Sequence, residues 1–251
     1  MKNLISDDDR SVKWATFDSD GRQVLTCGQD GNGRVWDART GQPITPRLRH
    51  AWEIEGGSFS PNGKFVITAS RDRTAKIWKL PSGEQAAPAL VHFAGVHNAS
   101  FTPDGRQVVT GARDGTARVW NVVDGSPATP PLSIGTGLVR ARISPCGRFV
   151  ATAGSSKVML WDRQTGQMLG LPFQHGDWTN EVRFSPDSKT MCTASEDGSA
   201  RVWSIPPVDE QFVESIQRQA RLISGHRADP ISGLVPLTSE ELMSLIKNDA
   251  K

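Results

Sequence analysis

Five tryptophans, Trp36, Trp78, Trp120, Trp161 and Trp203, stand 42, 42, 41 and 42 residues apart, and no other feature restricts the fold as much. Such a period is too long for a coiled-coil heptad and marks a chain built from stacked supersecondary units. The unit is clearest from Phe101 to Ser126, FTPDGRQVVTGARDGTARVWNVVDGS. Every copy places a turn between two runs rich in β-branched residues: Asp20-Gly21, Asn62-Gly63, Asp104-Gly105, Cys146-Gly147 and Asp187-Ser188. Turns of this kind between such runs predict antiparallel hairpins, hence an all-β fold. Repeats of this sort bury their apolar faces between neighbours and not in one central core.

Counting back from each tryptophan, an Asp lies six residues earlier in four copies, a Thr four residues before that Asp, and a His eighteen before the Thr in three. These positions resemble the WD-repeat family, and the likeness runs from about residue 8 to 205. The resemblance implies a β-propeller array of five four-stranded blades. It also implies a hydrogen-bonded tetrad in each complete blade: His50, Thr68, Asp72 and Trp78; His92, Thr110, Asp114 and Trp120; His175, Thr193, Asp197 and Trp203. The family's Gly-His dipeptide is absent here, and Trp is followed by Asp only at Asp37 and Asp162. Repeat one carries Asp8 at the histidine position. Repeat four carries Ile134 there, Ser155 in place of the Asp, and one residue fewer, so it is expected to be the least stable blade.

Histidine, threonine and aspartate also make up a base, a nucleophile and an orienting acid. An active site needs one copy in one cleft, whereas this set occurs three times, as a structural device would. The expected bonds run from Trp Nε1–H to Thr, from Thr to the His ring and from the ring to Asp, leaving no buried polar group unpaired. Metal binding fails because each blade offers one His and one Asp with no thiolate nearby. Gly31-Asn32-Gly33 and Gly135-Thr136-Gly137 lack the third glycine of a dinucleotide fingerprint, and no D-F-G occurs. The reading is of a protein that is not an enzyme and holds no cofactor and no metal.

What remains is a binding surface. In the family that the repeats resemble, partner contacts gather at the third and fifth residues after the tetrad His and at the residue before the tetrad Asp. These are Glu53, Glu55 and Arg71; Gly95, His97 and Arg113; Trp178, Asn180 and Glu196. Equivalents in the degenerate repeats are Ser11, Lys13, Gln29, Gly137 and Val139. The mixed charge and the single large aromatic, Trp178, suit a protein or peptide partner more than phosphates. Arg34, Lys76, Arg118 and Arg201, two residues before a tryptophan, are read as stems packed on the blade with their charged heads in water.

With 29 basic and 27 acidic residues, the net charge of +2 gives no general pull toward nucleic acid. No uncharged apolar run approaches the ~18 residues of a membrane span, and MKNLISDDDR does not read as a signal peptide. Cys27, Cys146 and Cys192 are odd in number and lack C-x-x-C spacing, which predicts a reducing, cytoplasmic setting. Asn98-Ala99-Ser100 fits a glycosylation sequon but falls within a predicted strand.

The propeller is expected over 1–206 and a helical tail over 207–251. Apolar spacing from Phe212 to Ile223 predicts one helix, and the capping box Thr238-Ser239-Glu240-Glu241 opens another, with an extended Pro/Gly-rich stretch between them. The LVPLTSEEL segment of this tail resembles the sequence after WD-repeat arrays in large bacterial proteins that carry a serine/threonine kinase. That resemblance implies the alternative of a regulatory or sensing segment of such a kinase. Two arrangements of the blades stay open. Lys2 to Asp7 could complete repeat five, which lacks an outer strand of its own because Pro206-Pro207 follows Trp203, and so close a five-blade ring. Rings in the family hold about seven blades, however, and an open array would self-associate through its bare flanks.

Overall fold

The computed structural model describes residues 12–135, 137–205, 226–229 and 233–236. The chain divides into two compact units, Met1–Ile205 and Pro206–Lys251. In the first, five antiparallel sheets follow one another. Blade one hydrogen-bonds β1 (Val12–Phe17), β2 (Gln23–Gly28), β3 (Asn32–Asp37) and β4 (Leu48–Arg49) in sequence order. Blade two repeats this with β5 (Ile54–Phe59), β6 (Phe65–Ser70), β7 (Thr74–Lys79) and β8 (Leu90–Val91). Blade three is β9 (Val96–Phe101), β10 (Gln107–Ala112), β11 (Thr116–Asn121) and β12 (Leu132–Ser133). Blade four is β13 (Arg140–Ile143), β14 (Phe149–Gly154), β15 (Lys157–Asp162) and β16 (Phe173–Gln174). Blade five has three strands among the described residues, β17 (Thr179–Phe184), β18 (Thr190–Ser195) and β19 (Ala200–Ser204).

The turn between the first two strands of a blade needs a left-handed residue. Gly63 takes φ +66° and donates its N–H to the Ser60 carbonyl at 2.9 Å, and in blade five Ser188 adopts the same conformation without being glycine. The outer strands are short. Only two residues pair in each, preceded by isolated bridges such as Trp36 with Pro43 and Trp78 with Gln85. Pro46, Pro88, Pro131 and Pro172, which lack an N–H, sit where a longer ladder would need a donor.

Each interface between blades uses the same phases of the repeat. Ile67, Ala69, Ala75, Ile77 and Leu90 of blade two meet Val96, Ala99, Phe101, Val108 and Trp120 of blade three. Val109, Ala117, Val119 and Leu132 of blade three then meet Val139, Ala141, Val150 and Trp161 of blade four. Burying each large aliphatic in this way contributes about 1.5–3 kcal/mol. Blade five carries Cys192, Ala194, Ala200 and Val202 at the phases of Ile67, Ala69, Ala75 and Ile77, and among the described residues no further blade packs on its flank: Val202 is 74% exposed where Ile77 is 0%. At the other end Phe17 is 63% exposed, against 7% for its equivalent Phe101.

In the second unit, His226–Asp229 pairs antiparallel with Gly233–Pro236, so part of the expected extended stretch is a two-stranded ladder. Pairing satisfies main-chain groups that an isolated extended segment would leave to water. The two predicted helices, Lys2 to Asp7, Asp8 and Ser11 lie outside the described residues.

Candidate functional site

The tetrad positions converge within each complete blade. In blade two Trp78 Nε1 donates to Thr68 Oγ1 at 2.8 Å, Thr68 Oγ1 lies 2.8 Å from His50 Nε2, and His50 Nδ1 lies 2.9 Å from Asp72 Oδ2. The corresponding distances are 2.8, 2.7 and 3.1 Å through Trp120, Thr110, His92 and Asp114, and 2.9, 2.7 and 3.1 Å through Trp203, Thr193, His175 and Asp197. Burial holds the His50 and His92 rings below the ordinary imidazole range, against the pull of their aspartates. Burial would raise Asp72 and Asp114, but hydrogen bonds outweigh it and keep both carboxyls below their usual range. The donors are chiefly His50 and Thr74 for Asp72, and Thr116 and the Phe93 N–H for Asp114. A neutral ring beside an ionised carboxylate must carry its proton on Nδ1, so Nε2 accepts from the Thr hydroxyl, which in turn accepts from Trp.

In blade two the polar groups of this arrangement are engaged with one another. The Asp72 carboxylate already faces the His50 ring, the Ala51 N–H, and both the N–H and hydroxyl of Thr74, while Thr68 is fully buried. The degenerate blades keep the first of these three bonds. Trp36 donates to Thr26 at 2.8 Å and Trp161 to Thr152 at 2.8 Å. In blade four Ile134 packs against Gly154, where a Cβ would come within 2.7 Å of its Cδ1.

The predicted partner face is positioned by two recurring devices. The first is a β-bulge: register shifts skip Lys13, Glu55, His97 and Asn180, the fifth residues of the motif in four blades. A bulge re-aims the side chain it frees. The second is a main-chain bond from the residue before the tetrad Asp. The N–H of Arg71 donates to Glu53, that of Arg113 to Gly95 and that of Glu196 to Trp178, each at 2.9 Å. These bonds hold the two ends of each predicted patch side by side. On blades one and two, Lys13 reaches Glu53 at 2.6 Å, Arg71 reaches Glu53 at 3.2 Å, and Arg71 also pairs with Glu55. Asn180 Nδ2 donates to Glu196 at 3.4 Å, while Arg113 is exposed.

Three expectations need amendment. Val139 is fully buried in the interface with blade three, because β13 starts one residue later and has no bulge. Trp178 is half-buried, its ring so close to Gly137 that a Cβ there would lie 2.9 Å from Cη2, so part of the ring packs within the chain. The basic residues before the tryptophans are more than packed stems. The Arg34, Arg118 and Arg201 guanidinium carbons lie 5.0, 5.6 and 5.9 Å from their own Trp ring centroids, and the Lys76 ammonium lies 5.7 Å away, all within cation–π range.

Sequence reasoning missed Trp14, Arg140, Arg142, Glu181 and Arg183, which line a cavity of about 260 Å³ with Glu55 and His97. Their signal is the period-2 alternation of the inner strands: they flank Ala15, Ala141 and Val182, which pair with Thr26, Thr152 and Thr193. Among the described residues no three His, Cys, Asp or Glu side chains gather as a metal site.

The family model for the WD domain, G-beta repeat, matches residues 3–37, 47–79, 90–121, 135–162 and 168–204. The LVPLTSEEL segment of the tail lies beyond these matches. Apoptotic protease-activating factor 1 of Danio rerio is similar at 27% identity over 105 residues, which cover 36% of this chain and 8% of that protein. The crystal structure of the computationally designed Ika8 protein superposes with a TM-score of 0.68 at 25% identity, covering 76% of this chain and 57% of that one. The chain thus spans a small fraction of the curated relative and little more than half of the designed protein. Five matched segments fall on five consecutive sheets closed by tryptophans in phase, and the chain belongs to the WD40 repeat family.

Proposed function

We propose that this chain is a non-catalytic scaffold that binds a protein or peptide partner on the rim bearing Arg71, Arg113, Trp178 and Glu196. WD40 repeats indicate protein-interaction scaffolds in general. The observation that carries the reading is the pairing of rim positions by main-chain bonds of 2.9 Å in three blades, beside tetrads whose polar groups are engaged internally. Buried Cys27 and exposed Cys146 and Cys192 are unpaired thiols, which suits a reducing cytoplasmic setting. The test is cross-linking with mass spectrometry to identify the partner, then titration with Arg71→Glu, Arg113→Glu and Glu196→Arg. Each is expected to weaken binding about 10-fold or more, Arg113→Glu and Glu196→Arg at unchanged melting temperature and Arg71→Glu at a lower one, since it sets a third carboxylate beside Glu53 and Glu55. Parental affinity in all three would move the site off this rim.

The bare flank of blade five supports association with a second copy. Its Cys192, Ala194, Ala200 and Val202 occupy the phases that meet a Val, Phe and Trp surface in the interior interfaces, and blade one offers exposed Val12 and Phe17 at the phases of Val96 and Phe101. The occupant with that chemistry is the first blade of another chain, joined head to tail.

A further inference from the structure

The inner strands line a polar cavity that no tetrad uses, and of its wall the rim ion pairs engage Glu55. Its charges do not balance locally. Arg142 lies 3.1 Å from the Glu181 carboxylate, and Arg183 Nε lies 3.5 Å from the same group, so one acid serves two arginines. Glu55, the other carboxylate on the wall, is already engaged by Lys13 at 3.5 Å and by Arg71. Arg140 is half-buried and makes no ion pair among the described residues, and Arg142 Nε is buried without a hydrogen-bond partner. His97 faces the same space with Nδ1 buried and not hydrogen-bonded, 3.9 Å from Glu55. Burial and then the Arg140 charge, with Arg113 and Arg142 adding to it, push that ring down to about 4, so it stays neutral and does not oppose an incoming negative charge as a carboxylate would. Trp14, 39% exposed and fixed by its Nε1–H to the Gly57 carbonyl at 3.0 Å, supplies an apolar wall.

We infer that this cavity receives an anionic side chain of a peptide, its negative group on the Arg140 guanidinium with Arg142 and Arg183 beside it, and its aliphatic part against Trp14. Planar guanidinium donors left unpaired in a partly dry site are matched by a carboxylate or phosphate, which accepts two N–H bonds at once. This rests on the peptide-binding reading and adds the chemistry of the ligand: an acidic segment. The volume of about 260 Å³ admits one or two side chains and not a folded domain, so the rim carries the rest of the partner.

The test is fluorescence anisotropy with the chain as it stands and three labelled peptides: hexaglutamate, a phosphoserine-containing peptide of equal length, and hexalysine. Saturable binding of hexaglutamate or of the phosphoserine peptide but not of hexalysine is expected, the tighter of the two naming the anionic group. Arg140→Gln should weaken that binding about 10-fold, and the more exposed Arg183→Gln about 3-fold, both with parental melting curves. No saturation with either anionic probe, or equal affinity for Arg140→Gln and the parent, overturns the inference. Should an identified partner lose affinity with Arg113→Glu but not with Arg140→Gln, the rim reading stands and this one falls.

Discussion

The Asn98 side-chain amide and the Ala141 main chain pair as two peptide groups do, Nδ2 donating to the Ala141 carbonyl at 2.7 Å and the Ala141 N–H donating to Oδ1 at 3.1 Å. This ties blade three to blade four. Asn98→Ala would leave both Ala141 groups without partners in an interface, at a cost of about 1–3 kcal/mol read by chemical denaturation. Asn98→Asp would set a carboxylate against the Ala141 carbonyl and is expected to cost at least as much. Because both ends of the amide are engaged, the Asn98-Ala99-Ser100 sequon is no acceptor in the folded chain.

Removing a tetrad histidine should act on stability alone. His92→Ala leaves Thr110 and Asp114 short of a partner and is expected to cost about 1–3 kcal/mol, seen as a lower melting temperature, with rim binding unchanged. If His50→Ala, His92→Ala and His175→Ala all melted like the parent, the tetrads would be bystanders.

Acid should destabilise the array in two stages. The folded His50 and His92 rings titrate below their unfolded value of ~6.5, so as pH falls below that value the unfolded chain takes up protons that the fold refuses, and stability drops. Asp72 and Asp114, depressed in the fold, add stability that is present above ~3.9 and is lost as pH falls further. Replacing His50 and His92 together by Gln should reduce the slope of the melting temperature between about pH 6.5 and 5, leaving the part due to His97, and should also weaken the lower stage, because His50 is a donor that holds Asp72 down. A double variant as steep as the parent in that window would assign the first stage to other groups.

Gly137 and Trp178 should prove coupled. Gly137→Ala introduces a Cβ 2.9 Å from the Trp178 ring at φ +93°, and a loss of about 1–3 kcal/mol is expected. Part of that loss should vanish in a Trp178→Ala background, where the clash is gone and only the backbone strain persists. A double-mutant cycle with no coupling energy would separate the two residues.

Sedimentation should show concentration-dependent association, and Val202→Lys, which places a charge on the bare flank, should shift it toward monomer. A parent that sediments as a monomer at all concentrations would show that no second chain covers the flank.

The blades were legible because the residues that build them recur in phase: the Thr, Asp and Trp positions and the turn glycines can be counted along the chain without knowing where any strand lies. The rim was legible only through those anchors. What makes it a site was not, since the bulges at Glu55, His97 and Asn180 share no local mark, only the one at Glu55 being followed by glycine. The roles of Asn98, Arg140 and Trp14 were hidden for a different reason. Asn98 bonds a residue 43 positions away in the next blade, Trp14 does the same with Gly57, and Arg140 faces a space bounded by several inner strands. Periodicity predicts what each blade shares, whereas these residues act through what one blade offers another.

The identity of successive interfaces has an evolutionary reading. A tandem duplication of one 42-residue unit sets the flank represented by Ile77 against the flank represented by Phe101, two surfaces that already fit, so the copied unit arrives with both of its contacts made. A duplication out of phase would join the wrong surfaces and be purged. Arrays of this kind therefore lengthen and shorten by whole units, and the flank at Val202 is the site at which the next unit would be received.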